Sequence, residues 1–399
     1  MSFTLAPTDE AGVVDAVLAA AAAGEPLLVR GNGSKTGMLR PVQAARSLSS
    51  GALTGITLYS PKELIISARA GTPVAEIEAA VAAQGQHLIA EPPDFSALLG
   101  ATAPQTIGGI LGTNLSGPRR IAWGAMRDHV MGVRAVNGAG EVIRSGGRVL
   151  KNVTGLDICK LLTGSYGTLA VMTEITLKVL PKPEAAGTVV LRGLDAVAGV
   201  AALSAALGSP YSITGAAWLP AESAAAIGLS GPIALARIEE FAASVQYRTQ
   251  RLAADLARFG AAEILDDATT AAVWRGVRDA VPLLAAPDDA VWRVSVRPSS
   301  GPGVLAAVSR EIGARGFLDW GGGLVWIAGP ATEAAHAAVR AAAIAANGTW
   351  TLLRASEPLR AAVDVIPPET EALARITRRV KSAFDPKGIL NPGRMYASL

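Results

Sequence analysis

Residues 106–181 of this chain read TIGGILGTNLSGPRRIAWGAMRDHVMGVRAVNGAGEVIRSGGRVLKNVTGLDICKLLTGSYGTLAVMTEITLKVLP. Glycines crowd the start of this stretch and return, at Gly164 and Gly167, just before an apolar run that closes it. Because glycine has no Cβ, it adopts φ > 0 readily and lets the backbone approach a ligand closely. A strand-like run at 130–136, the pair Asn137-Gly138 and a second run at 141–144 predict a β-hairpin between the glycine clusters. The stretch therefore predicts a backbone-lined surface of the kind that a phosphate-bearing cofactor needs.

Spaced motifs in this stretch carry a resemblance to a known family. They are Thr106-Ile107-Gly108-Gly109, Asn114, Gly117, Gly124, Asp128, Lys151-Asn152, residues 155–158 and residues 164–173. In this order they resemble the FAD-binding domain of the vanillyl-alcohol oxidase family, which is shared with p-cresol methylhydroxylase. Several matches in the right order are far more specific than any one of them. The resemblance implies FAD as the cofactor and a two-part FAD-binding domain of the p-cresol methylhydroxylase type.

Composition excludes several classes of protein. The length of 399 residues favours two domains. The net charge is only +3 and no Lys/Arg block occurs, so nucleic acid is not an expected partner. The single cysteine, Cys159, excludes an internal disulfide and a Cys-ligated iron–sulfur cluster within this chain, and we predict no metal site. The acidic start and the absence of an apolar run of about 20 residues predict a cytoplasmic protein, peripheral at the inner membrane at most through a complex.

A second glycine-rich loop lies near the start of the chain. The run Pro26-Leu27-Leu28-Val29 predicts a short buried strand, and RGNGSKTG follows it at 30–37. Successive peptide N–H groups in such a turn form a nest that attracts phosphate. The loop is neither a P-loop, since Gly-Lys-[Ser/Thr] is missing, nor a G-x-G-x-x-G fingerprint. In the resembling family this place holds the pyrophosphate loop, where some members attach the flavin through histidine. Ser34 and Lys35 stand here instead, so we predict noncovalent FAD.

The predicted fold class is α+β, with three parts. The resemblance implies that residues 1–182 form the two-part FAD-binding domain and that residues 183–350 form an antiparallel α+β cap domain that resembles a substrate domain. Residues 351–399 form a C-terminal segment that returns to the FAD domain, because FDPKGILNPGR at 384–394 matches the closing motif of the family. The prolines of that motif end a helix and favour an extended terminus. In the cap domain we predict strands at 188–191, 216–219, 291–296 and 324–327, and helices at 195–206 and 245–259.

The resemblance assigns cofactor contacts at matching positions. The expected FAD-binding residues are Arg30, Gly31, Asn32, Gly33, Ser34, Lys35, Thr106, Gly108, Gly109, Gly112, Asn114, Asp128, Gly164, Gly167, Val171 and Asn391. We assign no catalytic residue.

The chain lacks the histidines of its hydroxyacid-oxidising relatives. D-2-hydroxyacid dehydrogenases of the family carry a clustered histidine motif in the second domain, where imidazole can take the hydroxyl proton. This chain holds only His87, His129 and His336, and we expect the last to be a surface or helix-packing residue. Residues 319–326, DWGGGLVW, occupy the comparable place and are expected to offer no base. These features resemble the E-type FAD-binding subunits of bacterial glycolate oxidases.

The resemblance to E-type subunits implies a reaction and partners. The reaction is oxidation of glycolate to glyoxylate, with electrons passed to a non-nicotinamide acceptor. The partners are a larger FAD-containing subunit, which carries the histidine motif, and an iron–sulfur subunit, with a small 2-hydroxyacid substrate bound by the complex. Two alternatives stay open: a self-sufficient FAD-dependent 2-hydroxyacid oxidoreductase, and a non-catalytic scaffold subunit.

Two groups of side chains in the second domain suggest further roles. Arginines are the remaining candidates for binding a carboxylate, since a guanidinium fork suits its geometry; they are Arg237, Arg293, Arg297 and Arg354. A solvated ion pair or an interface contact is the simpler explanation for each of them. Because tryptophan is enriched at interfaces, we expect Trp292, Trp320 and Trp326 to mark the surface that contacts the partner subunits.

Overall fold

A computed structural model describes residues 3–147 and 156–399. The α-helices are α1 (Glu10–Ala23), α2 (Val74–Ala82), α3 (Ser96–Leu99), α4 (Ile107–Thr113), α5 (Arg120–Trp123), α6 (Ile158–Leu162), α7 (Ala196–Leu207), α8 (Ala221–Ala225), α9 (Ala242–Leu256), α10 (Asp267–Arg278), α11 (Gly301–Ile312), α12 (Glu333–Ala345), α13 (Glu357–Ala362) and α14 (Glu371–Phe384). The strands are β1 (Phe3–Leu5), β2 (Leu27–Arg30), β3 (Arg46–Ser49), β4 (Ile56–Ser60), β5 (Ile65–Arg69), β6 (Gln86–Leu88), β7 (Val130–Asn137), β8 (Val142–Gly146), β9 (Ala170–Pro181), β10 (Ala185–Arg192), β11 (Ile213–Leu219), β12 (Ile233–Glu240), β13 (Ala262–Leu265), β14 (Ala290–Ser295), β15 (Arg315–Asp319), β16 (Leu324–Gly329) and β17 (Thr349–Arg354). None of the helices in these two ranges has the length and apolar character needed to cross a membrane.

The N-terminal part of the chain forms two sheets. A three-stranded parallel sheet has the order β1-β3-β2, and a six-stranded antiparallel sheet has the order β4-β5-β9-β7-β8, with β6 added on β9. Helix α1 connects β1 to β2. Its N-cap is Asp9, whose carboxylate accepts from Gly12 N–H at 2.8 Å, rather than Thr8 as a simple capping pattern would suggest. Gly24, in the left-handed conformation, ends the helix.

The predicted hairpin is confirmed, but its turn is longer than a two-residue type. Strands β7 and β8 pair antiparallel, and the Asn137 side chain accepts from Ala139 N–H and Glu141 N–H. Positive φ falls on Gly140, at 78°. Gly138 is required for another reason: a Cβ there would lie 2.3 Å from a carboxylate oxygen of Asp385 in the C-terminal tail. The turn therefore also receives the end of the chain.

The second part of the chain is an antiparallel sheet covered by helices, as predicted. Its eight strands have the order β13-β10-β12-β11-β15-β16-β14-β17. The expectation that its tryptophans form a contact surface is wrong for two of the three. Trp292 and Trp326 are 0% and 3% exposed, and Trp320 is half-buried. Strand β14 is buried on both faces over most of its length, so aromatic residues there fill the core.

The end of the chain returns to the first part. Leu27 N–H donates to Ile389 O at 2.8 Å, and Asn391 N–H donates to Leu27 O at 3.0 Å. A buried ion pair fixes this return, because Lys381 Nζ lies 2.7 Å from Asp385 Oδ2 and also donates to Leu390 O. The tail thus lies beside the strand that leads into the first glycine-rich loop.

Candidate cofactor site

A cleft in the N-terminal part brings both glycine-rich loops and the C-terminal tail together. Its lining residues are Leu28, Val29, Arg30, Gly31, Asn32, Gly33, Ser34, Lys35, Thr36, Ser50, Thr106, Gly108, Gly109, Gly112, Thr113, Tyr166, Gly167, Ala170, Val171, Met172, Asn391 and Arg394. Most of the residues that the sequence assigns to FAD are therefore neighbours in space.

The first loop presents free backbone donors. No acceptor elsewhere in the described chain pairs with the peptide N–H groups of residues 31–35, which follow β2 directly. Gly33 has φ +84°, and its carbonyl accepts from both the N–H and the hydroxyl of Thr36. A Cβ on Gly31 would lie 2.4 Å from Thr106 Oγ1, so the two loops touch here. The arrangement is a nest of N–H groups suited to a phosphate oxygen.

Lys35 adds a buried positive charge beside this nest. The residue is 9% exposed, and Nζ donates to Gln105 Oε1 at 3.1 Å and to Ser34 Oγ at 3.4 Å. Burial lowers the pKa of its ammonium to about 8, although Asp94 opposes the shift. No carboxylate of the described residues lies within ion-pair distance of Nζ. A buried, unpaired cation is costly, and an anionic ligand would compensate it.

The second loop contributes shape rather than donors. Its first N–H groups are already used: Ile107 donates to Thr72 O, Gly108 to Ala70 O, and Gly109 to Thr106 Oγ1. A Cβ on Gly108 would lie 2.8 Å from Ala70 O, so its bare backbone is needed for packing. A Cβ on Gly109 would lie 3.9 Å from the Lys35 ammonium. Helix α4 therefore lines the cleft with bare backbone at its glycines, which leaves space for a flat ligand.

The tail closes the cleft from the other side. The Asn391 amide accepts from Val29 N–H at 2.7 Å and donates to Val29 O and Tyr166 O. Arg394 donates to the carbonyls of Thr36, Arg40 and Lys35 at 2.9–3.1 Å. Burial lowers the pKa of Arg394 to about 10, and no carboxylate in the described ranges pairs with it. The tail thus clamps the first loop through its backbone.

Three of the expected residues lie beside the cleft without lining it. Asn114 ends α4 with φ 51° and accepts from Arg127 N–H. Asp128 accepts from Ala125 N–H at 2.8 Å. Gly164 has φ +89° and donates its N–H to Leu111 O. Asn114 and Gly164 shape the turns around α4, and Asp128 shapes the turn after α5. The Lys151-Asn152 and Gly155 positions of the family motif lie outside the described residues.

The sequence analysis missed several cleft residues, and two of them, Tyr166 and Arg394, hold the cleft together. Tyr166 has φ 53° and is pinned at both ends, since its N–H donates to Gly112 O and its carbonyl accepts from Asn391. Arg394 clamps the loop as described above. Both lie inside quoted motifs, at 164–173 and 384–394, so the signal was present. Only the fold shows that these side chains reach the cleft.

Charged side chains bind the two parts of the chain together. Arg237 on β12 donates to both carboxylate oxygens of Glu91, at 2.9 and 3.0 Å. Arg119 makes the same fork with Glu239, at 3.0 and 2.6 Å, and lies 3.1 Å from His87 Nδ1. Burial alone would raise the pKa of Glu239, but Arg237 and Arg119 hold it at about 2. Burial and Arg119 lower the pKa of His87 to about 4, so the ring is neutral.

The remaining histidines are structural. His336 is 1% exposed, and its Nδ1 lies 3.1 Å from Trp292 Nε1, so it packs inside the second part rather than at the surface. His129 is buried, and burial lowers its pKa. Residues 319–326 do hold one perturbed acid: burial raises the pKa of Asp319 to about 7. In the part of the chain that the structure describes, no cluster of His, Cys, Asp or Glu could hold a metal ion.

Comparisons with known proteins agree with this geometry. The FAD binding domain family matches residues 1–146, and the C-terminal domain of FAD linked oxidases matches residues 369–395. Glycolate oxidase subunit GlcE of Escherichia coli is 33% identical over 94% of this chain and 93% of its own length. Glycolate oxidase subunit GlcD of Bacillus subtilis is 32% identical over 43% of this chain and 36% of its own length.

Solved structures show the same fold at low sequence identity. p-Cresol methylhydroxylase with substrate bound superposes with a TM-score of 0.75 over 99% of this chain and 88% of that chain, at 13% identity. An alkyldihydroxyacetonephosphate synthase superposes with a TM-score of 0.71 over 98% of this chain and 76% of that chain, at 17% identity.

Proposed function

Because this chain belongs to the family of FAD-linked oxidases that includes glycolate oxidase subunit GlcE, we propose that it is the FAD-binding subunit of a glycolate oxidase complex. The complex oxidises glycolate to glyoxylate and passes the electrons to a non-nicotinamide acceptor. Its other members are a larger flavin subunit and an iron–sulfur subunit. The supporting observation is Lys35, a buried and unpaired cation beside free N–H groups in a chain related to GlcE over almost its whole length.

Different residues of the cleft bind different parts of FAD. The N–H groups of residues 31–35 and the Lys35 ammonium hold the pyrophosphate. Gly109, Gly112 and Val171 leave room for the flat parts of the cofactor. Asn391 and Arg394 keep the first loop in its binding conformation. When bound, FAD supplies the two-electron acceptor that 2-hydroxyacid oxidation requires. In domain terms, residues 1–182 bind FAD, residues 183–350 cap it, and residues 351–399 return to it.

Two features argue against a scaffold without flavin and against catalysis by the chain alone. A scaffold would have no need to keep Lys35 buried without a counter-ion, which destabilises the fold unless an anion binds. The chain also places no histidine pair in its second part to take a hydroxyl proton. The larger subunit therefore carries out proton transfer, and this chain binds FAD within the complex.

One observation favours a second candidate, a self-sufficient 2-hydroxyacid oxidoreductase. Asp319 is a buried carboxyl whose pKa is raised to about 7, and a group that titrates near neutral pH suits a general base. The lone chain, if this candidate is right, oxidises glycolate, and Asp319→Asn abolishes the activity. If the subunit proposal is right, the lone chain is inactive whether residue 319 is aspartate or asparagine.

Flavin analysis tests the cofactor proposal. The chain is expressed alone and together with its two partner subunits, and bound flavin per chain is measured after purification. We expect about one FAD per chain, all of it released into the supernatant by acid because no histidine stands in the first loop. Fluorescence that stays on the denatured protein band would contradict noncovalent binding. A colourless chain in both preparations would contradict the FAD-binding role.

A further inference from the structure

Arg293 carries a partly buried guanidinium that has no counter-ion within ion-pair distance among the described residues. It projects from β14, and its Cζ lies 5.0 Å from the ring centroid of Trp326 and 5.4 Å from that of Trp320. Its Nε is shielded from solvent and has no hydrogen-bond partner. No carboxylate of the described residues lies within 4.0 Å of the group, and none of their carbonyls accepts from it. Burial lowers its pKa to about 10, so it is charged at neutral pH.

The other three candidate arginines differ in this respect. Arg237 makes a bidentate pair with Glu91. Arg354 donates to backbone carbonyls of residues 98, 286 and 289. Arg297 is exposed to solvent. Of the four, Arg293 is the one that combines a solvent-shielded Nε with no hydrogen-bond or ion-pair partner among the described residues. An uncompensated buried charge is strongly destabilising, and such groups cluster where a ligand supplies the missing charge.

A second guanidinium stands at the same indole. Cζ of Arg120 lies 4.7 Å from the ring centroid of Trp320, and no described carboxylate pairs with it either. Burial lowers its pKa, as does the nearby charge of Arg127. The two arginines come from different parts of the chain, α5 and β14. They meet at one aromatic ring, where each charge disfavours the other, and Asp319 offsets this repulsion at Arg293 only in part.

Trp320 has an unfavourable backbone conformation in this position. Its φ is 54°, a conformation that bulky side chains rarely adopt. Its N–H donates to Asp319 Oδ1 at 2.7 Å, and its indole N–H donates to Gly117 O at 3.3 Å, across the boundary between the two parts. Backbone strain of this kind persists where the surrounding structure enforces it, and it concentrates at binding sites.

The arginine site adjoins the cofactor cleft. Tyr166 lines the cleft, and its phenol is close enough to Arg293 and Arg394 for each arginine to influence its pKa, which burial raises. We propose that Arg293 and Arg120 form an anion site beside the flavin that binds the carboxylate of a small 2-hydroxy acid or of the matching 2-oxo acid. The two tryptophans restrict its size, and the Arg293 fork fixes the carboxylate. The choice of ligand rests on the proposed function.

Ligand titration of the purified, FAD-loaded chain tests this site without relying on turnover. Glycolate and glyoxylate are titrated under anaerobic conditions, with calorimetry as the measure of affinity and tryptophan fluorescence as the local signal, since Trp320 and Trp326 touch the arginine. We expect saturable binding that Arg293→Met weakens at least about ten-fold, the loss typical of a charge-assisted contact. The affinity of Arg293→Lys should lie between that of the unmodified chain and that of Arg293→Met. Arg297→Met, an exposed neighbour, should bind like the unmodified chain.

Several results would overturn the site. They are no binding by an FAD-loaded chain, equal affinity for glycolate and for sulfate, and unchanged affinity in Arg293→Met. A shift of the flavin potential in Arg293→Met with carboxylate affinity intact would assign the arginine to the flavin instead. Thermal melting checks that each variant is folded, and Arg293→Lys keeps the test valid if the methionine variant is not. A chain that lacks FAD altogether contradicts the proposed function rather than this site.

Discussion

At the scale of single residues, Lys35 sets the charge of the proposed pyrophosphate site. We predict that Lys35→Met weakens FAD binding by about ten-fold or more, because the phosphate loses a desolvated charge partner. Fluorescence titration of the chain freed of flavin measures this. Lys62→Met removes an exposed lysine outside the cleft and should have no effect. Unchanged affinity in Lys35→Met would remove this residue from the site.

The same lysine predicts how FAD binding depends on pH. Its pKa in the free chain is lowered to about 8, so the ammonium is fully charged below about pH 7 and loses its proton as the pH rises through 8. Phosphate binds the charged form, so affinity should fall over that window. The decline should vanish in Lys35→Met. A profile that is flat up to about pH 9 in the unmodified chain would contradict this role.

The two loops require glycine for different reasons. Gly33 has φ +84°, which costs an L-residue about 1–2 kcal/mol, whereas Gly109 faces Lys35 at the edge of the cleft. We predict that Gly33→Val and Gly109→Val each abolish flavin binding before they unfold the chain. Flavin occupancy is compared with thermal melting. Gly37→Ala is the control, because a Cβ there meets open space. Full occupancy in either valine variant would exclude that glycine from the site.

At the scale of structural elements, the C-terminal tail is part of the cofactor site. We predict that Asn391→Ala lowers stability by about 1–3 kcal/mol and lowers flavin occupancy, because Val29 and Tyr166 lose their buried partners. Denaturant unfolding and flavin content measure the two effects. Asn347→Ala is a matched control, since Asn347 also has positive φ but lies in the second part. Equal effects of the two substitutions would leave Asn391 with a purely conformational role.

Local patterns predict elements well and their partners poorly. The hairpin β7–β8 and the strand β2 followed by a glycine-rich loop were evident, because turn residues and apolar runs are neighbours in sequence. The clamp of Arg394 on Lys35 was not, because it joins residues far apart in the chain. Strand β14 is buried on both faces, so no alternation revealed that Trp292 belongs to the core. The raised pKa of Asp319 likewise comes from burial, which composition does not encode.

At the scale of the whole molecule, two buried ion pairs hold the second part over the first. Arg237 with Glu91 joins β12 to the segment after β6, and Arg119 with Glu239 joins β12 to the segment before α5. Breaking one partner of such a pair is costly, so the relative position of the two parts is strongly specified. The cap therefore brings Arg293 close to Tyr166, which lines the cofactor cleft. It brings no histidine there, which separates FAD binding from proton transfer.

Glycolate-dependent dye reduction tests the central claim most directly. The FAD-loaded chain is assayed alone and after co-expression with the larger flavin subunit and the iron–sulfur subunit, at equal flavin concentration. We predict no turnover by the lone chain, because no second-part histidine pair accepts the hydroxyl proton, and restored turnover in the complex. Dye reduction by the lone chain at rates like those of the complex would contradict the subunit role and identify a self-sufficient oxidoreductase.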